Sequence, residues 1–377
     1  GQARQKARLL KDHMRSAIAI RAAGCGIIRR MDHPNPPILK ITAYLNSTAD
    51  APEAPLLRLQ EASRLPPWLF GIACGLLTFL FMFSPALMLE QTALSKLDLF
   101  GTALFFGFST GIVAASRGPV LRGARRDLEG LRGVLPIDDE SFEVLLRTVT
   151  RMTPTTVLVT LAVGIALGIA HSYLLEHYRL PAPLLLTLSA GTLLLWVVMN
   201  QTMPKLILNA LLFSHLGSIA EPDLLRPSKH AGFGAAAVRP GILVMGIVGA
   251  YGFLIIGVDT PFDDAVWIGI AASVVSLVGI VALPLRGIRR RIRETRAEAL
   301  AQLDARYDTL SRDALKAADP QQLSAMDTLL DMRERVAHAP AWPMDLAGVR
   351  RILLYVVLPP LTWAAAALVE MLVDSAV

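Results

Sequence analysis

The sequence predicts an all-α protein that crosses a membrane about seven times and carries a cytoplasmic helical hairpin. Two observations predict this fold class. Of the 377 residues, 53% are hydrophobic and 18% are charged, and the apolar residues collect into seven blocks with almost no charge inside. Each block approaches or exceeds the roughly 20 helical residues that cross a hydrocarbon core of about 30 Å. This pattern excludes a soluble multi-domain enzyme and a disordered chain, and the two cysteines provide no disulfide framework.

The apolar blocks divide the chain into spans and loops. The predicted spans are, in order, Trp68–Leu89, Leu99–Ser116, Thr155–Leu175, Leu184–Met203, Gly241–Val258, Ala265–Leu285 and Ile352–Val373. Helices satisfy every backbone N–H and C=O within the segment, as lipid requires, and the blocks lack the alternating pattern of barrel strands. The first six spans therefore form three hairpins with short loops, and a long polar stretch precedes the seventh span.

The distribution of Lys and Arg predicts the orientation. Of the 37 Lys and Arg residues, only Lys96 and Arg179 lie in the three short loops that close the hairpins. Cytoplasmic loops attract Lys and Arg, so we expect the N-terminus in the cytoplasm and the C-terminus outside. The net charge of +6 follows mostly from this asymmetry. Nucleic acid is not an expected partner, because the basic segments flank apolar spans and lack interleaved aromatic residues.

Eight segments follow from this layout. They are a basic cytoplasmic N-terminal segment (1–67), transmembrane hairpin 1 (68–116), a cytoplasmic basic helical loop (117–153), transmembrane hairpin 2 (154–203), a cytoplasmic or interfacial segment (204–239), transmembrane hairpin 3 (240–285), a coiled-coil-like cytoplasmic hairpin (286–350), and the last transmembrane helix with an outer C-terminus (351–377). Leu206–Ile219 is apolar but too short to cross, so it is either an interfacial helix or an extension of span four. The first 60 residues are not typical of a cleavable signal peptide.

The polar stretch before the last span predicts two helical arms. The first arm has apolar residues at steps of three and four, from Ile292 to Ala314. Asp319 and Pro320 are typical of a helix N-cap followed by proline at the first helical position. The second arm continues the apolar pattern from Leu323 to Leu330. Two roles stay open for this hairpin, which are homo-oligomerisation and packing against the other cytoplasmic segments.

Trp342, Pro343 and Asp345 mark the joint between this hairpin and the last span. Proline ends the helix that arrives from Ala339, Asp345 can cap the next helix, and Trp342 is expected at the headgroup level. With Leu283-Pro284-Leu285 upstream, residues 283–373 resemble a family of uncharacterised bacterial multi-pass membrane proteins. In that family a cytoplasmic helical hairpin precedes a Trp-Pro-x-Asp element and one last span. The resemblance implies this architecture and a bacterial inner-membrane location, and it implies no activity.

Three spans contain glycines four residues apart. The pairs are Gly71 with Gly75, Gly107 with Gly111, and Gly164 with Gly168. Small residues at this spacing let helices approach closely in lipid. The pairs therefore indicate close packing, either within a seven-helix bundle or at a dimer interface.

The sequence predicts no catalytic residue, no cofactor and no metal site. His171, Glu176 and His177 cluster near the outer end of span three, but their spacing does not place them on one helical face. Among the predicted spans, only the seventh contains an acid, Glu370, so a carboxylate relay for protons is not expected.

Two groups of residues remain as candidate contacts. Asn200, Gln201 and Thr202 form either a polar lining at the cytoplasmic half of the bundle or interhelical hydrogen bonds. A set of arginines flanks the spans and either contacts anionic lipid or phosphate or only fixes the topology. These arginines are Arg122, Arg125, Arg126, Arg289, Arg290 and Arg291.

Three function classes follow. The first is a scaffold or accessory subunit of a membrane complex, which assembles through the bundle and the hairpin and is not an enzyme. The second is an ion channel or facilitator that forms a homo-oligomer, since channels need no catalytic residues. The third is a lipid-active membrane enzyme, for which no nucleophile is visible. The sequence favours the scaffold, and the expected partners are anionic lipids at the cytoplasmic face and either further copies or other subunits.

Overall fold

The computed structural model describes residues 51–88, 96–255, 264–317 and 320–340, and single residues between Trp342 and Leu368. These residues are almost entirely helical, with one isolated β-bridge between Glu53 and Arg151. The predicted all-α class is therefore confirmed. Pro343, Asp345, Glu370, residues 1–50 of the N-terminal segment and most of the seventh span lie outside the described residues.

Ten α-helices are described, and we number them in chain order. They are α1 (Pro55–Ala62), α2 (Pro67–Met88), α3 (Lys96–Glu129), α4 (Asp139–Thr148), α5 (Pro154–Leu174), α6 (Ala182–Ile219), α7 (Ala231–Val238), α8 (Gly241–Ala250), α9 (Asp264–Ala317) and α10 (Pro320–Ala337). Local signals start two of them, because Asp138 and Thr153 accept hydrogen bonds from the backbone N–H groups of Ser141 and Thr156.

Five described segments are long and apolar enough to cross a membrane. They are α2, α3, α5, α6 and the segment Pro227–Leu254, which contains α7 and α8. The sixth predicted span falls in the first part of α9. The count of seven and the orientation of the termini stay predictions.

The five segments differ in how deeply they are buried. In Pro227–Leu254, 72% of the most apolar stretch is buried inside the protein, against 17% in α5. Helices α3, α6 and α8 form the centre, whereas α2 packs on the side of α3 and α5 packs on the side of α6. The exposed faces of α2 and α5 carry large apolar side chains such as Leu77 and Leu158, which suits contact with lipid.

Glycines let the outer helices approach the central ones. A Cβ on Gly75 would lie 2.8 Å from the backbone oxygen of Gly107, and a Cβ on Gly107 would lie 2.9 Å from that of Gly75. On the other side, a Cβ on Gly164 would lie 2.9 Å from Cα of Val197. The glycine pairs therefore serve helix contacts within the chain, as one of the two interpretations of the sequence predicts.

Helices α3 and α6 continue well beyond their predicted spans, to Glu129 and Ile219. Leu206–Ile219 is thus an extension of span four. The extended ends pack with α4, α7 and the adjoining part of α9 into a cluster that we call the five-helix core. Its most deeply buried large side chains are Leu128, Leu131, Leu212, Phe213, Phe233 and Ile288.

An ion pair fixes the junction between α7 and α8 on α3. Arg239 donates from Nη2 and Nε to the two carboxylate oxygens of Asp127 on α3, at 2.7 and 3.1 Å. Only 7% of the Asp127 side chain is exposed, so this charge is paired inside the protein.

The end of α9 and α10 form a helical hairpin. Helix α9 runs for 54 residues through Pro284 without a break, and α10 returns antiparallel to it. Arg333 donates to Asp304 at 2.6 Å near the middle of the hairpin, and Arg296 contacts the backbone oxygen of Ala339 near its base. Its coiled-coil character and its cytoplasmic location stay predictions.

Candidate functional site

A group of polar side chains is buried where α3 and α6 meet the segment between α4 and α5. We call Arg117, Thr202, Lys205 and Asn209 the buried polar cluster. Arg117 is 2% exposed and Lys205 is 1% exposed. Arg117 is the first residue of the predicted basic loop (117–153), and the structure buries it because α3 continues through it and packs on α6.

Lys205 and Asn209 hold the end of α4. The Lys205 ammonium donates to the backbone oxygen of Thr148 at 2.6 Å, and Asn209 donates through Nδ2 to that of Val149 at 3.2 Å. These carbonyls lie at the C-terminal end of α4, where the helix leaves acceptors unsatisfied and its dipole attracts a cation. The two side chains therefore fix α4 on α6.

Arg117 has much weaker contacts. Its Nη1 donates to the Thr202 hydroxyl at 3.3 Å, and its Nη2 lies 3.5 Å from the sulfur of Met152. Among the described residues, its Nε has no hydrogen-bond partner. In the described part of the chain, no carboxylate forms an ion pair with this guanidinium.

The three residues predicted as a polar lining have different neighbours. Asn200 donates to the backbone oxygen of Trp196 in its own helix, at 3.0 Å. Gln201 donates to the backbone oxygen of Val157 at 2.9 Å and thereby joins α6 to α5. Thr202 accepts from Arg117 on α3. These hydrogen bonds mainly connect helices, which is the alternative that the sequence left open.

The candidate lipid-binding arginines on α3 are partly engaged with acids. Arg122 lies 3.5 Å from Glu61, and Arg125 donates to Glu129 at 3.1 Å. Arg126 is exposed. Of this group, Arg126 is the residue best placed to contact an anionic surface.

The candidate arginines on α9 have partners of their own. Arg290 donates to Glu294 at 2.7 Å, and Arg291 lies 3.8 Å from the same carboxylate. The Arg289 guanidinium lies 4.3 Å from the centre of the Trp342 ring, which is a cation–π distance. The two groups of arginines lie on different helices, and their described acidic partners are different, namely Glu61 and Glu129 for the first group and Glu294 for the second.

Trp342 packs on the connection between α6 and α7. It borders a small hollow together with Pro222, Pro227, His230 and Ile292, among others. In that connection His230 accepts from the backbone N–H of Asp223 at 2.9 Å. The hydrogen bond from Lys229 holds the pKa of Asp223 below its usual value. Trp342 thus contacts the protein at this joint.

The histidines at the far end of α5 do not converge on one point. His171 accepts from the Trp196 indole N–H at 2.7 Å, whereas Nδ1 of His177 lies 3.5 Å from the Ser189 hydroxyl. Burial, and then the neighbouring His171, lower the pKa of His177. Within the described ranges, no group of three or more His, Cys, Asp or Glu side chains is arranged to hold a metal ion.

Sequence reasoning missed the role of Lys205, although a signal for it exists. Lys205 is the one Asp, Glu, Lys or Arg in the sequence between Ala182 and Ile219. A lone cation inside a long apolar helix is expected to face protein rather than lipid. The burial of Arg117 has no such signal, because it depends on Thr202, 85 residues away.

Comparison of the chain with protein-family models, with curated proteins and with solved structures finds no match.

Proposed function

We propose that the chain is a non-catalytic scaffold or accessory subunit of a membrane complex, which assembles through its bundle and its helical hairpin. The observation that carries the proposal is an apolar stripe on α10. Leu323 is 56% exposed and Leu330 is 45% exposed. The two side chains are seven residues apart, so they lie on one face of the helix. Exposed apolar surface in a charged segment is typical of a protein contact.

Two helices alone do not give this hairpin a core. Among the described side chains of α10, Val336 is the one that is buried. Between the two arms, an open groove of about 790 Å³ is lined in part by Ala305, Thr309, Ala325 and Leu329. Small and apolar residues along a groove suit the ridge of a further helix. A partner helix would bury surface that the chain leaves exposed.

The hairpin is rigidly tied to the rest of the protein. A Cβ on Gly217 of α6 would lie 2.5 Å from the backbone nitrogen of Ile288, so α6 and α9 touch through their backbones. Gly287 likewise packs against the backbone of Ser214. Because α9 is continuous, a partner bound at the hairpin is held in a fixed position relative to the bundle. This geometry suits a scaffold.

The alternative of a homo-oligomeric channel has less support. A water path through the bundle needs polar groups that face one space, whereas Gln201 and Thr202 form hydrogen bonds with neighbouring helices. We propose that the protein lies in a bacterial inner membrane with its N-terminus inside. Anionic lipid would then meet exposed cations such as Arg126.

The first test measures the mass of the gently solubilised particle and identifies every chain in it. We expect wild type to exceed one chain and the double variant Leu323→Glu/Leu330→Glu to shrink, because charge prevents a helix from covering the stripe. The matched control Ser324→Glu/Gln302→Glu adds two charges at exposed polar positions and should keep the full particle. Other chains at fixed stoichiometry support an accessory subunit, and further copies alone support homo-assembly. A wild-type particle of one chain contradicts the proposal.

A further inference from the structure

We infer that Arg117 and Lys205 form a buried binding site for a small inorganic anion such as chloride. This inference does not depend on the proposed function, because it concerns the inside of the bundle and not the hairpin. It starts from the charges. Both cations are at most 2% exposed, and both contact the segment between α4 and α5, Lys205 at the Thr148 oxygen and Arg117 at the Met152 sulfur.

The Arg117 charge has no described counter-charge. A guanidinium stays protonated in proteins, and a buried charge is unfavourable unless it is paired. The acids of the adjoining segment face other cations, since Glu61 lies beside Arg122, and Arg151 and Arg122 are the cations that act on the Glu53 carboxylate. An anion beside Arg117 would supply the missing charge.

Arg117 also has hydrogen-bond donors to offer. A guanidinium carries five N–H donors, and here Nε has no partner among the residues that the structure describes. The Thr202 hydroxyl, at 3.3 Å, already gives its own proton to the backbone oxygen of Val198. The Met152 sulfur at 3.5 Å is a weak acceptor. The donors of Arg117 therefore suit a stronger hydrogen-bond acceptor than the described residues supply.

The burial of Arg117 and Lys205 limits the size of the ligand. Lys205 is fixed by its bond to the Thr148 oxygen, and Arg117 is enclosed by α3, α6 and the segment that contains Met152. A lipid headgroup or a nucleotide needs an open surface that these two cations lack. A monatomic anion is the class of ligand that suits such a site.

The test compares thermal unfolding of the purified full chain in chloride and in gluconate at constant ionic strength. A ligand that binds the folded state raises the midpoint with its concentration. We expect chloride to raise the midpoint of wild type by a few degrees until the site saturates. Arg117→Gln should lose this dependence, whereas Arg126→Gln, on the same helix but exposed, should keep it. Equal midpoints in the two salts for wild type, or equal chloride dependence in Arg117→Gln, would overturn the site.

A second measurement does not require the variant to fold. Crystals of wild-type protein grown in bromide would locate the anion by its anomalous scattering. A bromide peak beside the Arg117 guanidinium supports the site. Ordered density around Arg117 without an anomalous peak at high bromide concentration contradicts it.

Discussion

The five-helix core and the helical hairpin both contain part of α9, but they bury their apolar side chains to different extents. In the core, Leu128 and Phe233 are fully buried, and Phe213 is 1% exposed. In the hairpin, Leu323 and Leu330 keep about half of their surface exposed. Five elements surround the first set of side chains, whereas one helix faces the second.

Helix α9 belongs to both regions and makes the difference clear. Its residues Ile288 and Ile292 are buried in the five-helix core, whereas Leu303 and Leu310 are only half-buried against α10. The sequence pattern along α9 is similar in both places. What changes is the number of neighbouring helices, so we infer that the core is complete within one chain and the hairpin is not.

The largest expected effect tests this difference directly. Phe213→Ala should reduce the free energy of unfolding by about 3–5 kcal/mol, because it removes a buried aromatic ring and leaves a cavity. Leu323→Ala should change it by no more than about 0.5 kcal/mol in the isolated chain, because that side chain lies mostly in solvent. Denaturant titration in detergent measures both values. Similar losses for the two variants would show that the hairpin is as well packed as the core.

A smaller effect is expected from the polar contacts that anchor α4 to the core. Lys205→Met removes the donor to the Thr148 oxygen and should reduce the free energy of unfolding by about 1–3 kcal/mol, because a buried acceptor is left unsatisfied. Lys229→Met is the control, since Lys229 forms an exposed pair with Asp223. If both variants lose the same stability, the Lys205 contact does not anchor α4.

The smallest expected effect is a pH-dependent change in stability that arises from the Glu53 carboxyl. Burial raises the pKa of Glu53, Glu61 raises it further, and Arg151 and Arg122 act in the opposite direction. A carboxyl with a raised pKa stabilises the folded chain while it is protonated. This stabilisation is lost as the pH rises through the pKa that the carboxyl has in the folded chain. Glu53→Gln should therefore be slightly more stable than wild type at neutral pH. The difference in stability between the variant and wild type should vanish when the pH falls below about 4.5, the ordinary pKa of a Glu side chain. A variant that is less stable than wild type at neutral pH would contradict the raised pKa of Glu53.

Helices with local signals are predicted well by the sequence. Helix α2 begins at Pro67 and α5 begins at Pro154, each one residue before the predicted span. Hydropathy and capping at Thr153 are properties of a few neighbouring residues, which is why these boundaries are visible in the sequence.

The C-terminal end of α3 depends on distant partners and is not visible in the sequence, whereas for α6 the sequence leaves two alternatives open for Leu206–Ile219. Both helices run past the expected boundaries at Ser116 and Met203, because their ends are buried in the five-helix core. The same packing buries Arg117 beside Thr202. The sequence around an arginine at the end of an apolar block is the same whether the side chain contacts lipid headgroups or another helix. Tertiary contacts therefore decide its role.

The most direct test of the central claim is the accessibility of the α10 stripe in native membranes. In a background with Cys25→Ser and Cys74→Ser, Leu330→Cys and Ser324→Cys would be treated with a water-soluble maleimide. We predict that Ser324→Cys reacts both in membranes and after purification, whereas Leu330→Cys is protected in membranes and reacts once the chain is isolated. Equal and rapid reaction of the two cysteines in native membranes would contradict a partner helix on the hairpin.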